Sequence, residues 1–140
     1  MKIQWHRVWD NLVRRFFPYE GRQRFIIGYT ALSPDEIFYR LLKLGFHYDF
    51  FAYSDKDELP PINLRKFVRF NDETKTYRQI HIRAYKPTSF GLIELRMHDE
   101  LPFELDAIGH LNGDTFTRAS QEEINAVLSA LEAIPSTEAQ

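Results

Sequence analysis

The chain has no cysteine among its 140 residues. Disulfides, thiolate nucleophiles and cysteine-based zinc sites are therefore excluded together, and a reducing compartment suits the composition. No apolar run approaches the ~18 residues that a membrane span requires. Charges interrupt the first residues, so they lack the continuous apolar stretch of a signal peptide. Cytoplasmic location is the default expectation. Glycine is scarce, with six residues in all, and none has the spacing of a P-loop or dinucleotide fingerprint. Gly28, with Thr30 and Ser33 before a helix start, is better explained by helix capping than by phosphate binding. No Gly-x-Ser-x-Gly elbow, internal repeat or low-complexity tract occurs.

What is present suits one domain with a substantial core. Hydrophobic residues make up 44% and charged residues 27%, ordinary values for a globular chain. Aromatic residues reach 15%, twelve of them Phe, and large rings bury much area per residue. The net charge of -2 is unevenly spread. Residues 1–83 hold 15 Lys/Arg against 10 Asp/Glu, and residues 84–140 hold 3 against 10. A partner for the basic end and neutralisation within the fold both account for such asymmetry. The sequence pI near 6.2 favours the internal explanation.

Periodicity predicts three helices. In the first, Trp5, Val8, Trp9, Leu12, Val13 and Phe16 fall on one stripe, and Pro18 ends the run. The second begins with a capping-box pattern, Ser33 and Glu36, with Pro34 at its first position and Gly45 beyond its end. Ser120 and Glu123 repeat the pattern before the third, whose stripe is Ile124, Val127, Leu128 and Leu131. Strands are expected over 24–30, 48–53, 64–70, 77–85 and 92–98. The connections between the last three are too short for parallel crossovers, which makes their neighbours antiparallel. Residues 54–61 read as an exposed, proline-stopped loop. Residues 101–111 are ambiguous, Phe116 is a candidate for a short terminal strand, and residues 135–140 read as a frayed tail. The expected fold is thus α+β in the order α-β-α-β-β-β-β-α: a four- to five-stranded antiparallel sheet and three amphipathic helices in a single domain over residues 1–134.

The hairpin from Tyr77 to His98 carries the densest chemistry. Side chains alternate across a strand, so Gln79, His81, Arg83 and Tyr85 share one face and Ile80, Ile82 and Ala84 the other. On the returning strand Glu94, Arg96, His98 and Glu100 lie opposite Ile93, Leu95 and Met97. A symmetric turn would set His81 across from Arg96, Arg83 from Glu94, and Gln79 from His98.

Two imidazoles, two guanidiniums and a carboxylate are the groups that metal-free phosphodiester cleavage uses. His81 and His98 would act as general base and acid, each contributing about 10²–10⁴ in rate. Arg83 and Arg96 would stabilise charge on phosphorus, and Glu94 would serve as base or hold Arg83. The same residues equally suit a phosphate- or nucleotide-binding face without catalysis, or the ordinary solvated side of a hairpin. The functional expectation is a phosphate- or nucleotide-recognising protein, with metal-independent ribonuclease activity as its catalytic form. The alternative is a non-catalytic protein-interaction module using this face or the aromatic first helix. RNA, another phosphate-bearing ligand or a protein are the corresponding partners, and a membrane is not.

Two further clusters stand out. Arg7, Arg14, Arg15, Arg22 and Arg24 form a basic patch able to contact nucleic-acid phosphates, or simply a solvated helix face. His98, Asp99, Glu100, Glu104, Asp106 and His110 gather metal-ligand types without a short-spaced histidine pair. A site made by His81, His98, Glu100 and His110 would need the chain to fold back over the hairpin. An acidic loop explains the cluster more simply, so no metal or other cofactor is assigned.

Overall fold

The computed structural model describes residues 25–48, 57–71, 76–101, 105 and 116–137. The predicted first helix, the basic patch, and Glu104, Asp106 and His110 lie outside the described residues.

Among the described residues eight elements follow one another: β1 (Ile26–Thr30), α1 (Pro34–Lys43), β2 (His47–Tyr48), β3 (Glu58–Asn71), β4 (Thr76–Tyr85), β5 (Ile93–Glu100), α2 (Gln121–Ala130) and β6 (Ile134–Pro135). The strands form one antiparallel sheet in the order β2-β3-β4-β5-β1-β6. The α+β class agrees with the sequence reading. The described residues hold six strands, rather than the expected four or five, and two of the three expected helices. None of these helices is long and apolar enough to cross a membrane.

Both helices begin and end for local reasons. Ser33 accepts a hydrogen bond from the Glu36 amide, and Ser120 one from the Glu123 amide, each 3.3 Å long. Each satisfies one of the amides that a helix start leaves without an intrahelical partner. Gly45, with φ near 94°, terminates α1. Its amide bonds to Leu42 O and the Phe46 amide to Leu41 O, the paired bonds of a Schellman motif. The periodic stripes then settle on one face of the sheet. Ile37 and Leu41 from α1, and Ile124, Val127 and Leu128 from α2, join Ile62, Leu64, Ile80, Ile82, Leu95 and Met97 in one buried cluster. Complete burial of a side chain of this size stabilises by about 1.5–3 kcal/mol.

Gly28 lets this layer close. A Cβ there would stand 2.5 Å from Ile134 O and 2.8 Å from Leu128 Cδ2. β1 can therefore lie against both α2 and β6 only because the position has no side chain.

The ends of the sheet correct two sequence expectations. Residues 58–61, read as part of a loop, are the start of β3. The ladder tolerates Pro60 and Pro61 because its register shifts between Glu58 and Asn63, where the missing amides are not needed for pairing. Pro135 and Ser136, read as frayed tail, are held by β1. Pro135 pairs with Gly28 in β6, and Ser136 donates from Oγ to Ile26 O at 2.6 Å.

The hairpin register is also corrected. His81 pairs with His98, Arg83 with Arg96, Gln79 with Glu100 and Tyr85 with Glu94. Each partner sits two residues beyond the one that the symmetric turn predicted. The turn closes over Thr88–Gly91, with the Gly91 amide bonded to Thr88 O at 2.9 Å and Gly91 at φ 76°. A left-handed residue at the end of the turn moves its axis by one position and every pair by two. A two-residue slip preserves the faces, so the predicted set stays together.

Candidate functional site

The face opposite the helices is polar and, over β4 and β5, buried. His81 is 1% exposed, His98 4%, Arg83 2% and Glu100 0%. The solvated hairpin side considered from sequence is thus absent at these positions. Alternation still explains the membership: Asn63 on β3, Gln79, His81 and Arg83 on β4, and His98 and Glu100 on β5 all project to this side.

His81 is the hub. Its Nε2 meets Asn63 Oδ1, and an amide oxygen only accepts, so the ring proton sits on Nε2 and Nδ1 keeps its lone pair. Nδ1 lies 3.2 Å from Glu100 Oε1. His98 Nε2 lies 3.2 Å from Glu100 Oε2, so one carboxylate faces both rings. The rings themselves stand 5.3 Å apart in an edge-to-face arrangement. Burial holds His81 well below the ordinary imidazole value of 6.5, and the Arg83 guanidinium acts in the same direction. The Glu100 carboxylate opposes both, while His98 adds to the lowering. His81 is neutral near pH 7.

Supporting groups fix this arrangement. Phe116 stacks on the His98 ring at 4.0 Å between centroids and 19° between planes. Gln79 donates from Nε2 to Glu100 Oε1 at 2.8 Å, and its own Oε1 accepts from Arg65 Nη1 at 3.1 Å. Arg65 also donates from Nε to His47 Nε2 at 3.3 Å. A continuous polar chain therefore runs from β2 across β3 and β4 to the carboxylate on β5.

Where that chain leaves the buried region it meets an aromatic ledge. Phe67 is 45% exposed. It packs edge-on against Tyr77 at 4.9 Å and beside His47 at 5.3 Å, with the Arg65 guanidinium 4.9 Å over its ring. These four residues come from β2, β3 and β4 and share the face of His81 by register.

The five predicted catalytic residues separate into two groups. His81, His98 and Arg83 are in the buried cluster. Arg83 pairs with Glu58, Nε to Oε1 at 3.9 Å, rather than with Glu94 as the symmetric hairpin required. Glu94 instead accepts from Arg96 at 2.6 Å, and Arg96 lies 3.9 Å over the Tyr85 ring. Asp99 projects to the other side of β5 from Glu100 and is paired with Arg78.

Asn63, Glu58, Arg65, Phe67 and His47 are not among the site residues expected from the sequence. The alternation Asn63, Arg65, Phe67 was the available signal. It was obscured because the strand was expected to begin only at Leu64, after the two prolines.

The arrangement can do two things chemically. Two imidazoles and a carboxylate converge closely enough to share one cation, and the ledge offers ring faces beside a fixed guanidinium. No family model, curated protein or solved structure matches the chain.

Proposed function

We propose that the protein recognises nucleotides, in free form or in single-stranded RNA, on the ledge formed by His47, Arg65, Phe67 and Tyr77. The observation that carries this reading is the half-exposed Phe67 ring set beside Tyr77 and beneath a guanidinium on an antiparallel sheet. Single-stranded nucleic acid is commonly bound by aromatic rings that stack on bases and cations that meet the phosphates. Arg65 suits the second role because its bonds to His47 and Gln79 hold the guanidinium beside the rings.

The metal-independent ribonuclease form draws less support. A separation of 5.3 Å suits two rings sharing one phosphate, but exposures of 1% and 4% give an RNA strand no approach to them. The protein therefore recognises nucleotides without using the buried cluster for RNA cleavage.

Fluorescence anisotropy with a labelled oligouridylate, competed by a free mononucleotide, tests the proposal. Phe67→Ala is expected to weaken binding by about 1–3 kcal/mol, the range for loss of one base–aromatic stack. Arg65→Ala is expected to reduce the salt dependence as well as the affinity. No binding by the folded wild-type protein, or equal binding by folded Phe67→Ala, refutes the reading.

A further inference from the structure

We infer that His81, His98 and Glu100 form a mononuclear site for a divalent first-row transition metal, zinc or ferrous iron by chemical class. One ligand atom from each of the three residues lies within 4.8 Å of the other two. Bonds of about 2.0–2.2 Å to such an ion place neighbouring ligand atoms about 3–4 Å apart. The two contacts of Glu100, each 3.2 Å, already fall in that range. Closing the remainder requires only small side-chain adjustments. The inference is independent of nucleotide recognition and uses a different set of side chains.

The hydrogen bonding favours a metal over a purely structural cluster. Asn63 Oδ1 accepts a hydrogen bond from His81 Nε2–H, which leaves the Nδ1 lone pair beside the Glu100 carboxylate, acceptor toward acceptor. Nδ1 finds no hydrogen-bond partner despite its burial, because an ionised carboxylate has no proton to donate to it. A metal ion between them turns this opposed pair into two ligands.

The surrounding groups have the form of outer-shell support. Metal-bound histidines donate their second ring N–H to an oxygen acceptor, as His81 does to Asn63. Ligating carboxylates are themselves held by donors, as Glu100 is by Gln79 at 2.8 Å. Phe116 fixes the plane of His98 by stacking. Two histidines and one carboxylate leave coordination positions for water or an anion, which distinguishes the set from a closed structural zinc site. Asn63 and Gln79 are positioning residues.

The test uses the full chain, stripped with a chelator and titrated with Co²⁺ and Zn²⁺. Calorimetry and metal analysis give the stoichiometry, and the Co²⁺ ligand-field bands report the donors. One ion per chain, a rise in Tm with Zn²⁺, and loss of both in folded Glu100→Gln and His98→Gln support the site. Asn63→Leu is expected to lower Zn²⁺ affinity about 10–100-fold with the stoichiometry unchanged. No metal uptake by the folded wild type overturns the inference. So does undiminished uptake by either folded ligand variant. Should both variants fail to fold, paramagnetic NMR of the Co²⁺ wild type decides: strongly shifted ring protons from His81 and His98 support the site, and unshifted rings overturn it.

Discussion

His81 and His98 are direct cross-strand partners, and one carboxylate, Glu100, faces them both from 3.2 Å. Antiparallel pairing places side chains at this range as a matter of geometry. Chemistry becomes an issue because the pair is buried, where any charge on the rings must be compensated locally.

A dependence of stability on pH follows for the metal-free protein. His81 faces Arg83 on its own strand, Arg65 and Asn63 on β3, and His98 and Glu100 on β5. Burial and the Arg83 charge lower its proton affinity in the folded state from the ordinary value of 6.5. The unfolded chain therefore takes up a proton first as the pH falls. The contribution of neutral His81 is fully present above about pH 6.5 and is lost progressively below it, until the folded-state value is reached. The slope is at most about 1.4 kcal/mol per pH unit for one proton. Urea unfolding in chelator between pH 7 and pH 5 should show a steeper loss for the wild type than for His81→Gln. Parallel curves would contradict it.

Gly28→Ala is expected to destabilise the fold by about 1–3 kcal/mol, the usual range for forcing atoms into a packed site. The nearest obstacle is a backbone carbonyl, Ile134 O, which cannot rotate away. The strain should act first on β6. The Ser136 amide, bonded to Ile27 O at 2.9 Å, should lose hydrogen-exchange protection out of proportion to the global change. Unchanged protection at Ser136 would locate the damage elsewhere.

The serine caps offer a smaller effect of known origin. Ser33→Ala and Ser120→Ala should each cost about 1 kcal/mol, since each removes the acceptor for one helix-start amide. Chemical denaturation of the two single variants and the double variant checks both the magnitude and the sum. A neutral result at either serine would show water replacing its oxygen without penalty.

Local rules carried the reading of this chain where the determinants were local. Both described helices fall where the Ser-x-x-Glu starts and the stripes place them, and the face shared by His81, Arg83 and His98 follows from alternation alone. The register did not follow, because it depends on how Gly91 closes a turn. That choice of axis leaves little trace in composition. Burial of the polar face was also illegible: alternating polar residues on an antiparallel strand ordinarily indicate water. Asn63 and Glu58 were lost behind Pro60 and Pro61, whose loop character was overridden by a register shift in the ladder. The one-carboxylate bridge needed the true register, since Glu100 reaches both imidazoles only when His81 stands beside His98.

Arg65 joins the ledge to the buried trio, and this predicts coupling between them. It donates to Gln79 Oε1, and Gln79 in turn donates to Glu100 Oε1. A metal ion held by Glu100 Oε1 would compete with the Gln79 bond and so alter the support of the Arg65 guanidinium beside Phe67. Nucleotide affinity should then differ between the metal-free and metal-loaded protein, by about fivefold or more for a typical coupling. Linkage requires the same factor in the reverse direction, so a saturating mononucleotide must change Zn²⁺ affinity equally. Gln79→Leu removes both bonds of the relay and should bring the factor close to one, whatever it does to either affinity alone. Anisotropy at fixed metal and calorimetry at fixed nucleotide measure the two directions independently. Equal nucleotide affinities in both metal states of the wild type would sever the proposed link, leaving the ledge and the trio as two separate sites on one sheet.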